Sequence, residues 1–222
     1  MDLQPYRVIA DLFDFPAEDF PQKVRAVGEY LNDRYPEASV LVERFLGYLP
    51  VEDVHAMQEL YTRTFDVQAI TTLDLGYVLF GDDYKRGEML SHLNKEHAKY
   101  GNPCRNELSD HLPNVLRLLP MLEDEDLRNE MASVVIYPAL VRMISEFNPE
   151  RIEKKKKSYQ KHYKTLIDVS ENGETAYVLT LQALDVLLQR DFELQEVEPP
   201  ATSSDFLRNV TSEMTIEETA KA

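Results

Sequence analysis

The sequence predicts an all-α protein, a single-domain bundle of about nine or ten helices with a flexible acidic C-terminal tail. Apolar residues recur at helical spacing along almost the whole chain, and the strict alternation that marks half-buried strands is nearly absent. Seven glycines in 222 residues are few for a β-sandwich or a nucleotide-binding α/β fold, which use glycine in turns and phosphate loops. The length corresponds to one helical domain, which we place at residues 1–190, followed by a disordered tail at 191–222.

Prolines divide the beginning of the chain into four short helices. Pro16 stops the first, Pro21 and Pro36 each fit the first turn of the next, and Pro50 precedes the fourth. The residues expected to face inward are, in order, Tyr6, Ile9 and Phe13; Val24, Val27 and Leu31; Val40, Leu41 and Phe45; and Val54, Met57, Leu60 and Tyr61. The segment 66–74 that follows is predicted to be a connection.

Two helices are predicted in the middle of the chain. A short apolar segment at 73–80 indicates a buried helix, and Asp82 or Asp83 can cap the longer helix after it. The longer helix ends where Gly101 suits a left-handed cap and Pro103 prevents continuation. One face of this helix carries Met89, Leu90, Leu93 and His97.

The next two helices begin at polar segments. Ser109 or Asp110 is expected to cap a leucine-rich helix. The acidic turn at 123–126 suits the positive end of a helix dipole, and it opens a helix of about 127–147. Pro138 is expected to kink that helix because proline removes a backbone donor.

A lysine-rich helix and a last amphipathic helix complete the bundle. Pro149 begins the lysine-rich helix, on which Tyr159 and Tyr163 are expected to face inward, and Gly173 ends it. The last helix carries Leu181, Leu184, Leu187 and Leu188. From 191 to 222 the pattern fails, and eight acidic and two basic residues give this tail a net charge of −6.

The charge balance excludes several classes of partner. The chain has 24 basic and 40 acidic residues, a net charge of −16, which opposes binding to nucleic acid and to anionic lipid. The single cysteine, Cys104, allows no intramolecular disulfide. The sequence has no signal-peptide pattern and no apolar run of the ~20 residues that span a bilayer. We therefore expect a cytoplasmic protein without stable membrane insertion.

Few residue patterns suggest catalysis or metal binding. Cys104 follows a turn with no recognisable activating group nearby, and we interpret it as a half-buried turn residue. The possible metal ligands are Glu52 with His55 at a helix start, and Glu88, His92 and Glu96 along one helix face. Both sets are more typical of exposed polar surface. The lysine run 154–157 is interpreted as a solvated helix face. The alternatives are contact with nucleic acid, with an acidic partner or with the acidic tail of the same chain.

The most informative segment is 107–113, Glu-Leu-Ser-Asp-His-Leu-Pro. A helix start explains Asp110 but not the neighbouring Glu107 and His111, which together indicate polar groups at the mouth of a groove. This segment resembles the Glu-x-x-Asp-His-x-Pro signature of the chaperones that assemble molybdenum oxidoreductases. Leu60–Asp66 resembles the Tyr…Thr-Phe-Asp segment of the nitrate reductase delta-subunit branch of that family, and Gly81–Met89 resembles a third segment of the same branch.

The resemblance implies a function in enzyme assembly. Family members are all-helical, are not enzymes, and bind the N-terminal or leader segment of a molybdenum oxidoreductase catalytic subunit in the cytoplasm. They hold that subunit for insertion of the molybdenum cofactor, and no cofactor of their own is implied. The client-binding residues carried over to this chain are Tyr61, Phe65, Asp66, Arg86, Glu107, Asp110, His111 and Pro113. The chain has Val78–Asp83 where the nitrate reductase branch is rich in histidine, so the resemblance leaves open which molybdenum enzyme is the client.

The residues themselves support specific roles and leave alternatives open. Acidic side chains such as Asp66, Glu107 and Asp110 can pair with arginine in a cationic peptide, and a −16 protein attracts such a peptide. Tyr61 and Phe65 either line the groove or are ordinary core residues. Two other function classes fit the same pattern: a helical enzyme with a metal or cofactor, and an acidic scaffold for another basic protein. Either a monomer or a dimer is compatible with the sequence.

Overall fold

The computed structural model describes residues 1–162, 175–192 and 194, and the fold is all-α, as predicted. The helices are α1 (Gln4–Ile9), α2 (Phe20–Asn32), α3 (Pro36–Tyr48), α4 (Val54–Phe65), α5 (Leu75–Phe80), α6 (Tyr84–Tyr100), α7 (Leu112–Leu118), α8 (Glu125–Glu130), α9 (Tyr137–Ser145), α10 (Pro149–His162) and α11 (Val178–Asp191). Short 3-10 turns at Ala10–Phe13 and Leu119–Met121 extend α1 and α7. No helix within the described ranges has the length and apolar character needed to span a membrane.

The core is formed by a few mutually packed helices. α2 packs on α3, α3 on α11 and α11 on α9, while α1 packs against α7. Aromatic side chains fill the centre, where the rings of Phe45 and Tyr177 lie 4.9 Å apart. The inward stripes of α1 and α2 agree with the sequence pattern. On α3 one expectation is wrong: Val40 is exposed, because the buried face of this helix runs through Ala38, Val42 and Phe45 at a spacing of three to four residues.

Most helix boundaries follow local signals in the sequence. Pro21 and Pro36 lie in the first turns of α2 and α3. The carboxylates of Asp83 and Asp124 accept backbone N–H groups at the starts of α6 and α8. Gly101 ends α6 with a φ of +63°, the left-handed conformation that glycine adopts without strain.

The helix continues through Pro138, the position at which a kink was expected. α8 and α9 form one continuous helix, joined by a π-helical turn at Met131–Ile136 just before the proline. Proline has no N–H to donate and its ring crowds the preceding turn, so the backbone widens there. Ile136, the last residue of the widened turn, and Tyr137, the first residue of α9, are both buried.

The C-terminal end of α11 is attached to the N-terminal helices. The Asp191 carboxylate accepts hydrogen bonds from the hydroxyls of Tyr6 (3.2 Å) and Tyr35 (2.5 Å) and pairs with Arg34 at 2.9 Å. Phe192 packs edge-on against Tyr6. Asp191 and Phe192 thus belong to the helical body. The predictions for Tyr163, for Gly173 and for the rest of the acidic tail lie outside the described residues.

The lysine run is not a uniformly solvated face, and the prediction is wrong for one of its members. Lys154 and Lys157 are exposed, but Lys155 is only 2% exposed and forms an ion pair with Glu146. α10 therefore packs one face of its lysine run against the end of α9.

Candidate functional site

The three segments that carry the resemblance converge in space. The segments before α5 and before α7 form an isolated antiparallel bridge, in which Leu75 N–H donates to the carbonyl of Asp110 (3.0 Å) and Leu112 N–H donates to that of Leu73 (2.9 Å). The bridge places Asp74 beside His111. Arg86 on α6 then reaches both segments through its guanidinium group.

Asp110 caps a helix other than the one predicted. Its Oδ2 accepts a hydrogen bond from the N–H of Gly76 in the first turn of α5 (3.1 Å), and Arg86 Nε lies 3.4 Å from the same oxygen. Neither Asp110 nor Ser109 caps α7, because α7 needs no side-chain cap: Leu112 N–H already donates to a carbonyl across the bridge, and Pro113 has no N–H. The Ser109 hydroxyl instead donates to the carbonyl of Leu90 on α6.

The Asp110 carboxylate is completely buried. Burial raises its pKa, the nearby Asp74 raises it further, and the Arg86 guanidinium opposes both. Gly76 is required for this contact, since a Cβ at that position would come 2.7 Å from Asp110 Oδ2. The side chain of Asp110 therefore holds α5 and α6 together and does not face the surface.

Arg86 and His111 are joined through Asp74. One oxygen of the Asp74 carboxylate lies 3.1 Å from Arg86 Nη2, and the other lies 3.1 Å from His111 Nδ1. The Arg86 guanidinium also packs over the ring of Tyr77 at 5.2 Å. Asp74 was not among the predicted site residues, yet it orients the imidazole of His111.

A second polar network holds the loop that carries Glu107. His97 Nε2 lies 3.0 Å from the carbonyl of Ser109, and His97 Nδ1 lies 2.9 Å from the amide nitrogen of Asn102. Burial lowers the pKa of His97, so it is neutral and its Nε2–H donates to Ser109. The amide of Asn114 donates to the carbonyls of Cys104 and Leu108 on the same loop. The two asparagines carry no motif by which the sequence could have indicated this role.

Five of the eight predicted site residues line one pocket of about 400 Å³. They are Tyr61, Asp66, Glu107, His111 and Pro113. Arg86 and Asp110 lie behind His111, and Phe65 lies beneath Tyr61 in the core. The lining residues that sequence reasoning missed are Phe13, Asp14, Phe15, Ala17, Lys23, Cys104, Arg105, Asn106, Asn114 and Arg117.

The aromatic wall of the pocket has a buried and an exposed part. The hydroxyl of Tyr61 donates to the carbonyl of Phe13 at 3.1 Å, and its ring packs edge-on against Phe65 and Tyr177. Both Tyr61 and Phe65 are buried, at 5% and 4% exposure. Phe15 stacks edge-on on the outer side of Tyr61 at 5.4 Å and is 54% exposed. Phe15 is therefore the aromatic side chain that the pocket offers to a ligand.

The lining of the pocket includes two exposed acidic side chains, Asp66 and Glu107. Burial raises the pKa of Asp66, and the charge of Glu107 raises it further. Among the described residues, neither carboxylate has an ion-pair partner. Two of the basic lining residues are already paired: Lys23 with Asp19 (2.9 Å), and Arg117 with Asp14 (2.6 Å) and Asp11 (2.7 Å). Arg105 is the third basic lining residue and is exposed.

The other candidate groups named from the sequence are a turn cysteine and polar side chains on two helices. Cys104 is half-buried, and burial raises the pKa of its thiol, which agrees with its interpretation as a turn residue. Glu52 and His55 are exposed at the start of α4, and Glu88 and His92 are exposed on α6. Within residues 1–162, 175–192 and 194, no three His, Cys, Asp or Glu side chains are placed to hold a metal ion.

Comparisons with protein-family models, with curated proteins and with solved structures find no match to this chain. The family resemblance is thus carried by the three motif segments alone. The arrangement of these segments in space is the independent observation that bears on function.

Proposed function

We propose that this protein is a cytoplasmic chaperone that binds the N-terminal or leader segment of a molybdenum oxidoreductase catalytic subunit. It holds that subunit while the molybdenum cofactor is inserted, and it carries out no reaction itself. One observation carries the proposal: two motif segments that are separate in sequence, 60–66 and 107–113, line a single pocket, and Arg86 of the third segment reaches Asp110 behind it. Among the described residues, the carboxylates of Asp66 and Glu107 in this pocket have no ion-pair partner.

The pocket and its rim suit a peptide that is both basic and apolar. Asp66 and Glu107 can each accept hydrogen bonds from an arginine or lysine side chain. Three large apolar side chains are exposed near these carboxylates. Phe15 lines the pocket, Val67 follows Asp66 in the chain, and Leu108 follows Glu107. Such exposed apolar groups supply affinity, while the carboxylates select for positive charge.

The size of the pocket agrees with side-chain recognition. A volume of about 400 Å³ lies near the lower end of the usual range for ligand pockets, roughly 300–1,000 Å³. It accommodates one or two long side chains of an extended or helical peptide, while the rest of the peptide rests on the rim. The net charge of −16 increases the association rate with a cationic segment at low ionic strength.

Peptide titration tests the proposal. The ligand is a synthetic leader peptide from a molybdenum oxidoreductase catalytic subunit, and affinity is measured by calorimetry at low and at physiological salt. We expect binding that weakens with salt, and a loss of about tenfold or more in the variant Asp66→Asn/Glu107→Gln. Absence of binding at low salt contradicts the proposal.

A charge-matched control separates the pocket from the general field of the protein. Glu29 on α2 and Glu43 on α3 are exposed, and the variant Glu29→Gln/Glu43→Gln changes the net charge by the same two units. Neither residue lines the pocket. We expect this variant to weaken binding by about twofold or less, because screened surface charges that do not contact the ligand contribute little. Equal losses in the two double variants contradict recognition at this pocket.

A further inference from the structure

The pocket depends on the loop of residues 66–74, which we call the site loop. Asp66 at its beginning lines the pocket, and Asp74 at its end orients His111. The first end is fixed to α4, where the N–H groups of Asp66 and Val67 donate to the carbonyl of Thr62 (2.8 and 2.9 Å), and the residues after 72 join the bridge to α7. Between these ends, Thr71 N–H donates to the carbonyl of Thr64 on α4 (3.0 Å). The middle of the site loop has a separate attachment.

That attachment comes from α10, through two side chains one turn apart. Lys155 Nζ donates to the carbonyl of Ile70, and the hydroxyl of Tyr159 donates to the carbonyl of Ala69 at 3.3 Å. Residues four apart lie on the same face of a helix, so one face of α10 holds two consecutive carbonyls of the site loop. Tyr159, like Lys155, is buried.

Lys155 is held in place by a buried ion cluster. Its ammonium group lies 2.7 Å from the Glu146 carboxylate, whose other oxygen pairs with Arg151 at 2.8 Å. Burial lowers the pKa of Lys155 to about 8, and the charge of Glu146 opposes that effect. Replacing a buried ion pair by neutral groups of similar shape is often tolerated, so the pair is not explained by stability alone. A role in fixing the position of the site loop explains why an ammonium group is placed there.

We propose that Lys155 and Tyr159 are positioning residues of the peptide pocket: from α10 they set the place of the site loop, and with it the separation of Asp66 from Glu107 and of Asp74 from His111. The inference rests on the proposed function wherever peptide affinity is the measurement. Neither side chain lines the pocket, so neither contacts the peptide itself.

Two variants test this role. Tyr159→Phe removes one hydrogen bond and keeps the ring. The neutral-pair variant, Glu146→Gln/Lys155→Met, removes the donor to Ile70 together with both charges of the pair. Arg151 keeps its hydrogen bond to the Ser145 hydroxyl and can still donate to the amide oxygen that replaces the Glu146 carboxylate. The matched control is Glu153→Gln/Lys157→Met, which removes an exposed ion pair from the same helix. Both double variants leave the net charge of −16 unchanged, so differences in long-range attraction do not enter the comparison.

The measurements are amide NMR signals of the site loop, exchange of the Thr71 amide with solvent, and peptide affinity. In Tyr159→Phe and in the neutral-pair variant we expect shifted signals from 66 to 74, faster exchange at Thr71, and affinity lowered about threefold to tenfold, the effect of one lost hydrogen bond. In the control variant we expect wild-type signals and an affinity within about twofold of wild type.

The outcomes distinguish this inference from the proposed function. Unchanged site-loop signals and wild-type exchange at Thr71 in both test variants overturn the positioning role, whether or not the peptide binds. Displaced site-loop signals with unchanged affinity also overturn it, since the position of the loop would then not affect recognition. A wild-type protein that binds no leader peptide contradicts the proposed function, and the NMR measurements then decide the positioning of the loop on their own.

Discussion

Replacing Asp110 by alanine removes the carboxylate that joins the segment 107–113 to the start of α5 and to Arg86 on α6. In the structure this carboxylate accepts from the N–H of Gly76 at 3.1 Å and lies 3.4 Å from Arg86 Nε, with no exposure to solvent. The variant leaves the Gly76 N–H buried without an acceptor. Arg86 keeps its contact with Asp74 at 3.1 Å and retains partial access to water.

The expected loss of stability follows from these contacts. A buried donor without a partner costs about 1–3 kcal/mol, and the weakened contact of Arg86 adds about 1 kcal/mol. The unfavourable burial of the carboxylate, which raises the pKa of Asp110, offsets part of this loss. We expect the free energy of unfolding to fall by about 2–3 kcal/mol in Asp110→Ala, and by about 1 kcal/mol in Asp110→Asn, which keeps an acceptor for Gly76.

Urea unfolding followed by far-ultraviolet circular dichroism measures these changes, because the chain is helical and has no tryptophan. The control is Asp66→Ala at an exposed position of the same site, for which we expect a change within about 0.5 kcal/mol. If Asp110→Ala unfolds at the wild-type urea concentration, or if Asp66→Ala is equally destabilised, then Asp110 does not hold α5 and α6 in the way described.

Three further predictions concern other contacts. Gly76→Ala lowers the free energy of unfolding, by about 1–3 kcal/mol, because its Cβ would lie 2.7 Å from a buried carboxylate oxygen. The matched helical substitution Gly47→Ala, with nothing within 4 Å, raises it by about 0.5–1 kcal/mol; equal effects in urea unfolding contradict the close approach. Tyr177→Phe leaves the free energy of unfolding unchanged or raises it by up to about 1 kcal/mol, because the buried Tyr177 hydroxyl has no hydrogen-bond partner among the described residues. Tyr61→Phe lowers it by about 1 kcal/mol, because it removes the hydrogen bond to the carbonyl of Phe13. Thermal unfolding of the two variants checks this prediction, since each lacks one hydroxyl of the same aromatic cluster. A larger loss of stability in Tyr177→Phe than in Tyr61→Phe contradicts it. Between pH 8 and about 10, Lys155 stays protonated in the unfolded chain but loses its proton in the folded protein. Lys155 therefore makes the free energy of unfolding rise with pH over this range. We expect this rise to be absent from the neutral-pair variant, which lacks the lysine. Urea midpoints at pH 7.5, 8.5 and 9.5 measure the difference between the two proteins, and parallel pH profiles contradict the lowered pKa.

Local signals in the sequence were sufficient for most helix ends. Asp83, Asp124 and Gly101 act on backbone groups within four residues of themselves, so their roles can be read without knowing the fold. The same logic failed at Asp110. Its sequence context is that of a cap for α7, but its carboxylate reaches α5, 34 residues earlier in the chain.

The candidate site was predicted in part for the same reason. The motif segments contain Tyr61, Asp66, Glu107 and His111, which line the pocket. Residues from other elements, such as Phe15 and Arg117, complete it but carry no motif. Nothing in their own sequence neighbourhood distinguishes them from other surface residues.

The sequence by itself determined the helical architecture, the acidic charge and the three segments around which the site forms, because periodicity, capping and composition act over a few residues. Only the tertiary structure decided which charges are available to a ligand. Asp110 and Lys155 look like exposed charges in sequence, but packing buries both and gives them partners distant in the chain. Asp66 and Glu107 are exposed in the pocket and have no ion-pair partner among the described residues. The charges available for the proposed recognition of a basic peptide therefore depend on burial, which is a property of the packed helices.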